Sequence, residues 1–183
     1  IDFTPPPSSI VVPFVDSVAK LDAQCTSEEY KGAYTAQYID LNGYVGTVYL
    51  KQDNNSLFAC ITGVRGSTTF RSFGLYLDRN NGQEKYAANE DYWLQAFIPF
   101  AQTASYTGTS DSANTWQSAT IDGWTAAAVP GVILGNTTTP DVAEFQLPLS
   151  MVSTTCGQPL GIALYHQDIN DNGVTYGFPT RIG

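Results

Sequence analysis

The sequence predicts an all-β protein, a two-sheet antiparallel β-sandwich built as one domain over residues 1–183. Three observations predict it. Apolar residues recur with a period of two in one run after another, as pleated strands require. Clusters of Asn, Asp, Gly and Pro punctuate those runs and mark turns. No stretch carries a long helical pattern, an internal repeat or a linker.

The elements follow in order. Residues 1–9 hold Pro5, Pro6 and Pro7, which favour extended polyproline conformation, so an extended N-terminal segment along the surface is expected. Residues 10–15 are apolar and β-branched, and Pro13 places them at a sheet edge. Thr26 and Glu29 have the spacing of a capping box and predict one helical turn through Tyr30. Residues 34–41 read as a strand, joined to the next by the hairpin signal Asn42-Gly43. The stretch 44–100 then reads as four strands (44–52, 56–64, 70–78 and 91–100), expected as neighbours in a single sheet. Val48 and Leu50 alternate with Thr47 and Tyr49 in the first, and Phe73, Leu75 and Leu77 with Gly74 and Tyr76 in the third. The second is nearly all apolar, as a central strand should be. Residues 102–111 are polar without a clear period and predict a long loop. Residues 113–120 and 124–128 predict a hairpin across Asp122-Gly123. Three further strands, 141–147, 160–168 and 174–178, end the chain.

Composition narrows the partners. Seventeen acidic residues against eight Lys and Arg give a formal net charge of −9. That balance argues against nucleic acid, which needs clustered cations, and against an anionic membrane surface. No apolar run approaches the roughly 20 residues of a transmembrane helix. The start at Ile1 and the acceptor sequons at Asn54 and Asn136 predict a processed, secreted, extracellular glycoprotein. Of the three cysteines, Cys25 and Cys156 lie in polar loop contexts and are expected to pair. Cys60, inside an apolar strand, is expected to be free and buried.

Catalytic signals are sparse. The single histidine, His166, excludes mechanisms that need two, and it shares a face with Ile162 and Leu164, which predicts an interior position. No G-x-S-x-G elbow occurs. The acidic residues offer many pairs, whose separation the sequence does not give. The turn Asp168-Ile169-Asn170-Asp171-Asn172-Gly173 alternates oxygen ligands before a Gly, as in the first half of an EF-hand loop. Asp168, Asn170 and Asn172 are therefore candidate calcium ligands, although Pro179 stands where the bidentate Glu would be. Stacking on a sugar ring needs exposed rings with amides and carboxylates nearby. Trp116 and Trp124, with Gln117 and Asp122 beside them, are the candidates, joined by Tyr165 and Tyr176, which flank the Asp/Asn turn, and by Gln167 if the last hairpin comes near. Trp93 is expected in the core.

Several pieces also stand in a familiar order: Val15-Asp16, Tyr30-x-x-Ala33, SLFACITGV, LYLDRNNG, Glu-Phe-x-Leu-Pro-Leu-Ser from Glu144, and the closing GIALYHQDINDNG. This arrangement, over roughly residues 15–179, resembles the superfamily that joins family-nine carbohydrate-binding modules to DOMON-type domains. The resemblance implies a two-sheet sandwich, a sugar bound on a concave face and structural calcium. The chain departs from it where the sugar-binding modules carry a Trp near the final strand, since Tyr176-Gly177-Phe178-Pro179 stands there. The order and spacing of Met151 and His166 do not suit the haem ligation of the cytochrome members, so no haem is expected. The expectation is a secreted, non-catalytic β-sandwich that binds a neutral oligo- or polysaccharide. The alternatives are an accessory subunit with a secreted protein partner, or a hydrolase or lyase with an acidic site.

Overall fold

A computed structural model describes residues 10–17, 19–39, 45–65, 70–81, 86–112, 115–134, 137–152, 159–168 and 175–178. The strands run in chain order: β1 (Tyr34–Ile39), β2 (Val45–Gln52), β3 (Ser56–Arg65), β4 (Arg71–Asp78), β5 (Tyr92–Ile98), β6 (Gln102–Gly108) and β7 (Trp116–Ser118). They continue as β8 (Thr125–Val129), β9 (Ile133–Leu134), β10 (Thr137–Thr138), β11 (Pro140–Pro148), β12 (Gly161–Asp168) and β13 (Thr175–Phe178). Five form one antiparallel sheet in the order β1-β2-β3-β11-β8. Six form the other, in the order β13-β12-β4-β5-β6-β7, and β9 pairs with β10 apart from both. The expected two-sheet sandwich is thus the fold.

The alternation seen in the sequence builds the space between the sheets. Val48, Leu50, Leu57, Ala59, Ile61, Phe145 and Leu147 point in from one sheet, and Phe73, Leu75, Leu77, Leu94, Ile98 and Leu164 from the other. All are buried. Among the described residues, a polar group crosses this core. Arg71 on β4 meets Asp141 on β11 through both carboxylate oxygens (2.5 and 2.8 Å), and the Gly131 N–H donates to the same carboxylate at 2.6 Å. His166 Nε2 lies 3.3 Å from Asp141, so the predicted interior histidine sits in a buried ionic group that ties the two sheets together.

Several expectations are corrected. The four central strands do not share a sheet: β2 and β3 pair in one, β4 and β5 in the other. Residues 102–108 form a strand rather than a loop. The hairpin across Asp122-Gly123 does not form, because β7 pairs with β6 while β8 pairs with β11 in the opposite sheet. Residues 10–15 contribute only a bridge from Phe14 to Gln52. The capping turn is present, with the Glu29 N–H donating to Thr26 Oγ1 at 3.2 Å and the Tyr30 N–H to the Thr26 carbonyl at 3.0 Å.

The cysteine pairing also differs from expectation. Cys25 bonds to Cys60, not to Cys156, which lies outside the described residues. Cys60 is buried as expected, but it faces outward from the first sheet, and the segment around Cys25 lies across that face. Ala19, Ala23, Tyr30, Phe58 and Val142 close a second, smaller core there.

Candidate functional site

A two-sheet sandwich has two outer faces, and the chain treats them differently. On the five-stranded sheet the outward side chains Phe58, Cys60, Val142 and Glu144 are all buried beneath residues 19–33. Glu144 fastens this cover. Its carboxylate accepts the N–H groups of Asp22 (2.9 Å) and Ala23 (2.5 Å) and the Tyr30 hydroxyl (3.1 Å). Burial pushes the Glu144 carboxyl above its usual range, opposed by the Ala23 N–H, and burial with Glu144 alongside raises Tyr30. Lys51 crosses the same cover to the carbonyls of Ser17 (3.0 Å) and Glu29 (2.6 Å), and burial lowers its ammonium pKa.

The outer face of the six-stranded sheet carries aromatic rings instead. Five adjacent strands contribute one each: Tyr165 on β12, Tyr76 on β4, Trp93 on β5, Tyr106 on β6 and Trp116 on β7. Ring centroids are separated by 5.4 Å (Tyr76–Tyr165 and Tyr76–Trp93), 4.6 Å (Trp93–Tyr106) and 5.8 Å (Trp93–Trp116). Trp116 leans back over Trp93 to within 5.5 Å of Tyr76. Tyr165 is buried and the other four rings are half-buried.

A glycine makes room for the Tyr165 ring. Tyr165 pairs in register with Gly74, and a Cβ on Gly74 would come within 1.9 Å of the Tyr165 ring. The Tyr165 hydroxyl accepts from Trp93 Nε1 at 2.9 Å and from Gln95 Nε2 at 2.7 Å. One phenol thus holds an indole and an amide at fixed positions on the face. Burial raises the pKa of both Tyr165 and Tyr76, so both hydroxyls stay protonated at neutral pH. Phe70, Phe97 and Phe100 form a second aromatic group beside the end of β5, with centroids 5.3 and 5.9 Å from Phe70.

The sequence-predicted residues divide among several places. Trp116 is in the ring group. Trp93, expected in the core, is instead half-buried at the centre of that group. Trp124 packs on the sandwich core, stacked with Phe145 at 6.4 Å, and its remaining surface lines a polar hollow together with Asp122. Gln117 is exposed on β7, in register with Thr107 and on the opposite side of the strand from Trp116. Gln167 shares the ring face, two residues beyond Tyr165 on β12. Tyr176 occupies the register position opposite His166 on β13. Tyr165, expected only as a tyrosine flanking the Asp/Asn turn, is in the ring group, whereas the sequence singles out neither Tyr76, Gln95 nor Tyr106 as a ligand contact. The period of two that places Tyr76 opposite Phe73 and Leu75 is the signal that locates it on the outer face.

Asp168 ends β12, whereas Asn170, Asn172 and Asn136 lie outside the described residues. Asn54 is exposed in the turn between β2 and β3. Among the described residues, Asp22, Glu29 and Glu144 bring carboxylate oxygens within 4.8 Å of one another. Each already accepts hydrogen bonds: Asp22 from the Gln24 N–H at 3.1 Å, Glu29 from the Lys20 N–H, and Glu144 as above. That donor set fits a pinned loop rather than a calcium cage, which needs six or more free oxygens.

With the geometry in place, the chain can be set beside known proteins. No family model matches the sequence, and no curated protein matches it. Among solved structures, the chain is similar to a family 9 carbohydrate-binding module from Caldicellulosiruptor kristjanssonii, determined in complex with cellotriose. The match covers 90% of this chain and 80% of that one, with a TM-score of 0.59 and 14% identity. At that identity the likeness is one of fold.

Proposed function

We propose that this protein is a secreted, non-catalytic carbohydrate-binding β-sandwich, and that the outer face of its six-stranded sheet takes a neutral oligo- or polysaccharide. The ring group of Tyr76, Trp93, Tyr106, Trp116 and Tyr165 carries the reading. Rings fixed by stacking on one another and by the Tyr165 hydrogen bonds hold partly exposed apolar surface in place at small entropic cost, and the apolar side of a sugar can pack on such surface. Gln167 on the same face can bond sugar hydroxyls, and no described Lys or Arg side chain belongs to the ring group, which favours a neutral ligand. The fold shared with a module determined in complex with cellotriose supports the same class. The Cys25–Cys60 disulfide and the exposed sequon at Asn54 support an oxidising, extracellular setting.

Native affinity electrophoresis through soluble β-glucan, xylan and mannan tests this. At least one polysaccharide should retard the wild type, and Trp93→Ala or Trp116→Ala should abolish the retardation. Migration unaffected by every polysaccharide would remove the proposal.

A second reading rests on a different observation. Val129, Val132 and Leu134, 41, 48 and 72% exposed, lie in one short stretch around β8 and β9. An apolar strip beside an edge strand suits a contact with a protein partner in an accessory subunit. Light scattering of the natively secreted material distinguishes a stable complex from a monomer.

A further inference from the structure

β7 is only three residues long, and where it stops the sheet edge opens into a hollow of about 550 Å³. That volume lies within the roughly 300–1,000 Å³ range of small-molecule sites. Its polar lining is mostly hydroxyl. Thr103, Ser105, Ser118 and Thr120 supply hydroxyls, Asp122 an exposed carboxylate, and Trp124 one indole. Ser105 Oγ already donates to the Ala119 carbonyl at 2.6 Å, which leaves its lone pairs to accept. Among the described residues no Lys or Arg lines the hollow, and the residues that do line it offer nothing to an anion. One carboxylate is too few for a divalent cation. Hydroxyls, a carboxylate acceptor and an indole together suit a polyhydroxylated, uncharged ligand.

Thr103 and Ser105 line the hollow from the inward side of β6, and it meets the ring face at a single β7 residue. Ser118 is in register with Tyr106 and stands two residues beyond Trp116 on the same side of β7, about 7 Å along the strand. We infer that the hollow beside β7 is a second carbohydrate subsite, which takes further units of the chain whose first units stack on the ring face. This inference rests on the carbohydrate-binding reading above. It makes the protein a binder of extended chains rather than of chain ends alone, with Asp122 accepting sugar hydroxyls and Trp124 closing the floor.

Calorimetric titration with the disaccharide and hexasaccharide of each of β-1,4-glucan, xylan and mannan tests it on the whole chain. The wild type should bind the hexasaccharide about tenfold more tightly than the disaccharide, the gain of one or two charge-assisted hydrogen bonds. Asp122→Ala should cancel that gain and leave disaccharide binding unchanged. Thr120→Arg, an exposed position whose new side chain would reach Asp122 and block the hollow, should do the same. Both variants should melt with the wild type. Equal affinity for the two lengths, or a length gain that survives both substitutions, overturns the second subsite and leaves the ring face standing. No binding of any of these sugars by the wild type overturns both.

Discussion

Replacing Tyr165 by Phe removes one oxygen atom and leaves the ring over Gly74 in place. That oxygen accepts two hydrogen bonds, from Trp93 Nε1 at 2.9 Å and Gln95 Nε2 at 2.7 Å. Gln95 is 5% exposed and Tyr165 2%, so water does not readily replace the lost acceptor at the amide. A buried donor left without a partner costs about 1–3 kcal/mol, and the half-buried indole costs less because solvent reaches it. The sum is about 2–3 kcal/mol. For a chain of this size each kcal/mol lowers the melting temperature by about 2–4 °C, so Tyr165→Phe should melt about 4–12 °C below the wild type. Tryptophan emission should shift as the Trp93 N–H loses its phenol partner. Releasing one ordered indole should weaken sugar binding by about 2–10-fold, at about 0.5–1.5 kcal/mol per immobilised side chain. Calorimetric melts and fluorescence titrations read both effects, with Tyr106→Phe as a control at a half-exposed ring in the same group. A melting temperature within error of the wild type, with unchanged emission, would show that the hydroxyl does not organise the face.

Asp141→Asn should destabilise by about 3–5 kcal/mol in denaturant titrations, because it strips the charge that Arg71 meets in the core. The double variant Cys25→Ser/Cys60→Ser should lose about 3–4 kcal/mol, the chain-entropy value for a bridge across 35 residues, and peptide maps of unreduced protein should join the peptides holding these two cysteines. Burial raises the pKa of Tyr30, Tyr76 and Tyr165, so folding binds their protons more tightly than the unfolded chain does. Stability from these three is complete below the unfolded value near 10 and should fall as pH rises above it. Lys51, pushed the other way, opposes this as one group against three. A melting temperature that stays level up to about pH 11 would contradict that sign.

Much of the fold was legible because strands write their own period. The near-continuous apolar run at residues 56–64 reads as a central strand, and β3 is the middle strand of its sheet. Its two faces serve two cores: Leu57, Ala59 and Ile61 face the sandwich, while Phe58 and Cys60 face the cover formed by residues 19–33. Which sheet a strand joins is not a local property. The chain changes sheets between β3 and β4, and nothing in the alternation of either strand differs on account of it. β6 was hidden for a related reason. Its inward side lines a polar hollow and its neighbour β7 is short, so residues 102–108 lack the apolar half of the pattern. The disulfide followed from the same non-locality. Cys60 looked like a buried thiol because its strand is apolar on both sides, but one of those sides is apolar only because the segment bearing Cys25 folds across it.

The candidate site was legible in kind but not in membership. Aromatic side chains on a polar, weakly charged β-protein pointed to stacking, yet the expectation grouped Trp116 with Trp124 because the chain seemed to turn back between them. Once β7 and β8 enter different sheets, those two indoles separate, and Trp116 gains Trp93 and Tyr76 as its neighbours. Trp93 seemed a core residue because Tyr92 and Leu94 beside it are apolar. In a strand, though, flanking residues point to the opposite face from their neighbour, so inward Tyr92 and Leu94 force Trp93 outward. The same rule places Tyr76 outward, between Leu75 and Leu77, and Tyr165 between Leu164 and His166. Three strands that each send alternate side chains into one core must therefore send Tyr165, Tyr76 and Trp93 to one outer face. Only their register, fixed by Gly74 opposite Tyr165 and by Trp93 opposite Tyr76, brings them close enough to act as one surface.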